Sequence, residues 1–171
     1  MLDTIRDTLS KVNDWVKFAE AKNAANIAFC SASTFAIARV VLSNQNLNGY
    51  ALLYGYIVVL FLVLSLILSL ISFIPKLKTP WIKIGDRDKN DNLLYFGHAC
   101  KYSGSKYLDK LYLGNASKSE NYEVELMYCD QIVVNSKVAY IKFSQFDLAI
   151  KFTISAIASP LYWGYEYWQR G

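Results

Sequence analysis

From the first residues, apolar positions recur at steps of three and four: Leu2, Ile5, Leu9, Val12, Val16 and Ala19, with Asp3, Arg6, Asp7, Lys11 and Asp14 between them. This is the pattern of an amphipathic helix. Its apolar face either packs on the protein's own cytoplasmic part or lies on a membrane surface. Trp15 and Phe18 stand just ahead of the next segment, where aromatic rings favour the headgroup zone. From Ala24 to Leu42 the chain is apolar apart from polar residues of modest size and one charge, Arg39, over about nineteen residues, close to the length that crosses a bilayer. The polar, uncharged stretch Ser43 to Gly49 is a short turn that forces the following segment to run antiparallel. That segment, Tyr50 to Ile74, carries no charge over about 25 residues and is dominated by Leu, Ile and Val. A soluble domain of this size could not bury it, so the two spans form a transmembrane hairpin over residues 23–75.

Pro75 ends the second span and the pattern changes. Trp81 to Ile84 and Asn92 to Tyr95 read as short strands flanking the polar turn Gly85-Asp86-Arg87-Asp88-Lys89-Asn90-Asp91. Ser105 to Leu113 reads as a helix closed by Gly114-Asn115, and a long helix starts near Asn121 with Val124, Met127, Val134, Val138, Ile141 and Leu148 on its apolar side. The expected fold is therefore membrane α-helical, with a small helix-rich α+β cytoplasmic domain. Its organisation is an amphipathic cytoplasmic helix (1–22), the hairpin (23–75), a cytoplasmic sensor domain (76–147) and an aromatic-rich C-terminal helix (148–171). The last segment contains Pro160 and the cluster Tyr162, Trp163, Tyr165, Tyr167 and Trp168, which suits a bilayer surface. It is either a third crossing or a helix lying against the hairpin or the membrane.

Charge sets the orientation. Lys11, Lys17 and Lys22 precede the first span and Lys76, Lys78, Lys83, Arg87 and Lys89 follow the second, whereas the connecting loop around Asn44 to Asn48 has no charge. The positive-inside rule places both ends of the hairpin in the cytoplasm, with Arg39 as the one dissenting residue. Cys30, Cys100 and Cys129 are odd in number and lack Cys-x-x-Cys spacing, which suits free thiols in a reducing compartment. With His98 as the single histidine, no metal site or Cys/His nucleophile pair can be assembled at a usual spacing. No secretory signal peptide is expected, since the first apolar run begins behind a charged helix. A phosphate-binding glycine loop, a His-Glu-x-x-His motif and a Gly-x-Ser-x-Gly elbow are all missing, so neither an enzyme nor a cofactor is expected.

Three sets of residues are candidates for function. Ala24, Ala28, Ala32 and Ala36 recur every four residues and permit close helix approach, either to the second span or between subunits. Ser65, Ser69 and Ser72 fall on one side of the second span; they line a polar path in an oligomer or bond to their own helix carbonyls. In the cytoplasmic part lysines alternate with rings and amides. Lys101, Lys106, Lys110, Asn135, Lys137 and Tyr140 combine cations that neutralise phosphate with a ring that stacks on a base, the requirement for a nucleotide ligand. A solvated face beside an anionic leaflet carries the same residues.

The stretch Asp14-Trp15-Val16-Lys17-Phe18-Ala19-Glu20-Ala21-Lys22-Asn23-Ala24-Ala25, the segment Leu94-Tyr95-Phe96-Gly97-His98-Ala99 and the run from Gln131 to Phe143 resemble, in order, the small membrane effectors of Pycsar and related prokaryotic antiphage systems. Asn23 separates Lys22 from Ala24, and His98 stands where those effectors usually have an acid. In size and organisation the chain is also similar to the ancillary membrane effector of type III CRISPR systems, which senses cyclic oligoadenylate. Either resemblance implies a homo-oligomer, with a tetramer favoured, in the inner membrane. A cyclic nucleotide or cyclic oligoadenylate would bind its cytoplasmic domain and the spans would open or disrupt the bilayer; duplex nucleic acid is not an expected partner. The competing classes are a ligand-independent holin-like or structural membrane protein and an accessory subunit that docks a complex on the membrane. Reporter fusions check the topology: a fusion after Lys78 is expected to report cytoplasm and one inserted at Asn44 to Asn48 to report periplasm, and the reverse pattern would overturn the charge rule for this chain.

Overall fold

The computed structural model describes residues 1–43, 49–74, 80–116 and 120–170, with side chains described as far as residue 158. Its helices are α1 (Leu2–Ser43), α2 (Gly49–Ile71), α3 (Phe96–Ala99), α4 (Gly104–Leu111) and α5 (Tyr122–Arg170). The chain groups into two compact units, one of Met1–Glu20 with Pro75–Ser144 and one of Ala21–Ile74 with Gln145–Gly171. Pro75, Lys76, Lys78 and the loop Asn44 to Asn48 lie outside the described residues. So do the side chains of Pro160 and the aromatic cluster Tyr162 to Trp168.

In the first unit the amphipathic face of α1 is a core face. Ile5 and Val12 are buried among Tyr107 and Leu108 of α4 and Cys129, Ile132 and Val133 of α5, with Leu9, Leu111 and Leu126 packed around them. Burial of a side chain such as Ile5 stabilises by about 1.5–3 kcal/mol, which gives α1 its reason to stay helical through a charged segment. Gly104 opens α4 where its backbone meets α5: an added Cβ would strike the Asp130 carboxylate and stand 2.9 Å from the Asp130 backbone nitrogen. A side chain there would push the two helices apart.

The expected α+β character is corrected: no strand is present among the described residues. Asn92 to Tyr95 folds on itself, because the Leu94 N–H donates to Asn92 Oδ1 (3.0 Å) and the Tyr95 N–H to the Asn92 carbonyl (3.1 Å). These local bonds take the groups a β-ladder would need. Trp81 to Ile84 forms no strand; the Lys83 carbonyl instead accepts from the Tyr140 hydroxyl at 3.3 Å.

The second unit packs α2 against the later part of α1 and the later part of α5. Cys30, Val58, Leu62 and Ala156 form its apolar centre, and the Phe61 and Phe152 rings meet at 6.0 Å. Gly55 lets α1 and α2 approach closely: a Cβ there would lie 2.8 Å from Val41 Cγ2. Only 11% of the most apolar stretch of α1 and 22% of that of α2 are buried within the chain. Core helices of a soluble protein would be mostly covered, so the remaining apolar surface is suited to lipid.

The end of α4 stores a small strain. The Gly114 N–H donates to the Asp109 carbonyl (2.8 Å) and the Leu113 N–H to the Lys110 carbonyl (3.4 Å), a Schellman-type closure. That closure needs a left-handed residue between them, and the position is held by Leu113 at φ 51° with 89% of its surface exposed. Leu113→Gly removes a conformational cost of about 1–2 kcal/mol and gives up almost no packing. It is expected to raise the thermal midpoint measured by circular dichroism in detergent; an unchanged or lower midpoint would mean that Leu113 is packed against something else.

Candidate functional site

Polar chemistry in the first unit gathers on the turn from Asp88 to Asp91, held down from the link between α3 and α4 and from α4 itself. The Asp91 side chain is 2% exposed and accepts from Lys101 Nζ at 2.7 Å, Tyr102 Oη at 3.0 Å and the Asp88 backbone N–H at 2.8 Å. Lys110 Nζ donates to the Asp88 carbonyl (3.0 Å) and to Tyr102 Oη (2.8 Å), and Arg87 lies over the Tyr102 ring. The His98 Nδ1 accepts from the Asn92 N–H at 2.9 Å. The Asp88 N–H and then the Lys101 ammonium hold the Asp91 carboxyl well below the usual carboxylate range, and the same hydrogen bond raises Lys101. Beneath the turn, burial pushes Cys100 up to about 11 and Cys129 up to about 12, so both remain thiols at neutral pH.

This arrangement separates the six expected ligand residues. Lys101 and Lys110 converge, but on the acidic turn of their own chain. Lys106 is exposed on α4 and makes no ion pair among the described residues. Lys137 is half-buried on α5 and close enough to Cys100 to favour its thiolate, and Tyr140 is turned to Lys83. Asn135 is drawn to a different place. Its Nδ2 donates to Asn13 Oδ1 at 2.7 Å, at the wall of a groove of about 300 Å³ lined by Asn13, Val16, Lys17, Asn135 and Val138. Two amides beside a lysine can read a base edge and hold a phosphate. Nearby, Trp15 stands 5.4 Å from Phe96 and 6.0 Å from Phe143, with its own ring partly exposed.

In the second unit a polar cluster crosses the three helices. Asn26 Nδ2 of α1 donates to Ser65 Oγ and Ser69 Oγ of α2, both at 2.9 Å, while Asn26 Oδ1 accepts from Thr153 Oγ1 of α5 at 3.0 Å. Ser65 also donates to the Ala149 carbonyl and lies 2.7 Å from Thr153 Oγ1, and Cys30 Sγ is 3.3 Å from Thr153 Oγ1. Ser65 and Ser69 therefore face the interior of one chain, and Ser72 is buried as well. Ala24, Ala28, Ala32 and Ala36 are all exposed, on the side of α1 away from Asn26 and Cys30, so the row makes no part of the hairpin contact. The residues missed at the sequence level, Asn26, Thr153 and Asp91, each had a signal: two isolated polar side chains in apolar spans, and an acidic turn opposite a lysine-rich helix.

Asp91 gives the clamp a pH dependence. Its folded pKa lies below the unfolded value of 3.8, so its contribution is fully present above that value and is lost as pH falls through the folded one. Thermal stability of the wild type is expected to decline between about pH 5 and pH 2, while Asp91→Asn is less stable at pH 7 and flatter over that interval. Equal slopes for the two proteins in thermal melts would remove Asp91 from the clamp.

No curated protein and no solved structure matches the chain. One family model does, over residues 4–165, nearly the whole length, and its description is the Pycsar effector protein domain. A membrane-type helical unit and a polar helical unit are both inside that match. The chain belongs to the family of Pycsar effector proteins, and it is a membrane protein of antiphage defence.

Proposed function

We propose that the protein binds a cyclic nucleotide on its first unit and, as a homo-oligomer in the inner membrane with that unit in the cytoplasm, permeabilises the bilayer without performing chemistry on its ligand. The observation that supports this most is the family match from residue 4 to 165, which takes in the groove of Asn13, Lys17 and Asn135 together with both apolar spans. The groove offers amide donors and acceptors for a base and an ammonium for a phosphate, the minimum for a nucleotide. Packing supports oligomerisation. The interior of the three-helix unit is filled by Cys30, Leu62, Ser65 and Ala156, each at most 1% exposed, which favours a conduit between copies over one through a single chain. A ligand opens such an assembly only by binding the open arrangement more tightly than the closed one.

The test uses full-length protein in detergent and in dye-loaded vesicles, with a panel of cyclic mononucleotides and cyclic oligoadenylates. One member is expected to bind by calorimetry with an affinity that falls as salt rises, since a phosphate contact releases counterions, and to trigger dye release. Lys17→Ala and Asn135→Ala are each expected to weaken binding about tenfold, a loss of about 1.4 kcal/mol, and Lys106→Ala to leave it unchanged. Dye release with no binding to any member would favour the holin-like class.

A further inference from the structure

The long helix α5 has two apolar faces in the first unit, and one of them is turned outward. Inward it buries Cys129, Ile132, Val133, Ser136 and Ala139, the first three in the core shared with α1 and α4. The row that continues the three-and-four spacing of the sequence is a different set: Val124, Met127, Gln131, Val134 and Val138. At 3.6 residues per turn the two sets centre on opposite sides of the helix. Val124, Met127, Gln131 and Val134 are all exposed, Met127 by 66%, and Val138 is half-buried. The outer face of a surface helix is ordinarily charged and polar. Here that face is apolar but for one glutamine, and it runs at Val138 into the groove of Asn13, Lys17 and Asn135.

The occupant that fits this stripe is the same stripe on another copy. Steps of three, four, three and four are the seam spacing of two parallel helices. Copies anchored by the same hairpin stand the same way up in one bilayer, so their α5 helices are parallel before they meet. In register, each seam residue faces its own counterpart, and Gln131 therefore faces Gln131. An amide both donates and accepts, so the two satisfy each other, whereas lipid would leave both polar groups unpaired. The flanks agree. Glu123 and Asp130 border the seam on one side, Tyr128 and Asn135 on the other, so each acid of one copy meets a hydroxyl or an amide five residues further along the next. Arg6 lies over the Tyr128 ring at 5.6 Å, which adds a cation to the flank that Glu123 of a neighbour would face. The seam covers only about two heptads, fewer than a free coiled coil shows, but confinement to the bilayer raises the effective concentration of one copy for the next. We infer that α5 pairs in parallel with α5 of a second copy along Val124 to Val138, joining the homo-oligomer through its first unit.

The inference rests on the homo-oligomer reading, and the two fail differently. Full-length protein in isolated membranes is oxidised with copper phenanthroline, which acts on introduced cysteines because Cys30, Cys100 and Cys129 are buried. Met127→Cys is expected to give a linked dimer on a non-reducing gel, since facing seam positions fall within disulfide reach. Lys106→Cys, exposed on α4, is expected to stay monomeric. Met127→Lys combined with Val134→Lys sets like charges against each other across the seam and is expected to lower the oligomer mass in native mass spectrometry from detergent. Its thermal midpoint should stay with the wild type, because both positions are exposed; if the midpoint falls, Met127→Cys decides alone. A wild-type oligomer in which Met127→Cys links no better than Lys106→Cys, or whose mass survives both lysines in a folded protein, overturns the seam and leaves the homo-oligomer standing. A monomeric wild type overturns both. A Met127→Cys thiol that is shielded from a water-soluble maleimide and yet does not link puts lipid or another protein on the stripe, which also overturns the pairing.

Discussion

An amide in an apolar helix bundle must be hydrogen-bonded, and the membrane unit is organised around meeting that demand for Asn26. In hydrocarbon an unpaired amide costs several kcal/mol. Its partners are drawn from both other helices: Ser65 and Ser69 from α2, Thr153 from α5. Dispersion between Leu, Ile and Phe side chains would tolerate many helix registers, because lipid tails satisfy the same surfaces equally well. A shared amide does not, since sliding either neighbour by one turn removes its hydroxyl from reach. The cluster thus fixes the register of α1, α2 and α5, and the Gly55 to Val41 approach fixes the distance at another point of the hairpin.

The polar unit solves a related problem with charge. Its segment from residue 80 to 95 has no ladder of backbone hydrogen bonds to hold it, and the surrounding side chains supply the missing constraints. Asp91 lies at the centre, with Lys101, Tyr102 and the Asp88 N–H around it, and Tyr107 Oη ties down the Leu93 carbonyl at 2.8 Å. Lys101 and Lys110, which look from spacing like part of a ligand platform, bond to this turn. The groove at Asn135 remains open because its charged residue, Lys17, meets Asp14 only in an exposed pair at 3.3 Å, a contact that contributes little in water.

The two spans were legible because a charge-free run such as Tyr50 to Ile74 has few physical alternatives to lipid. The amphipathic helix was legible as an element and its partner was not: periodicity identifies which face of α1 is apolar, whereas the surface covering it, Leu108 and Ile132, is a hundred residues distant in sequence. Two strands were misread for the opposite reason. Alternation over four residues is too short to outweigh an Asn that closes its own turn, as Asn92 does. Of the candidate sites, Asn135 lies at a groove, while Lys101 and Lys110 bond to an acidic turn folding back over them, a contact for which helical spacing contains no term. Ser65 and Ser69 stand out in the sequence, and their partners come from segments far away in it.

All three cysteines are buried, and two of them stay protonated well above neutral pH. Electrophiles and oxidants attack the thiolate at an accessible sulfur, so the native protein has a chemically silent background. A cysteine introduced on its surface would be labelled selectively without deleting Cys30, Cys100 or Cys129, all of which are buried. Spectroscopic probes can therefore be placed one at a time on an otherwise wild-type chain, and their surroundings followed in the intact membrane.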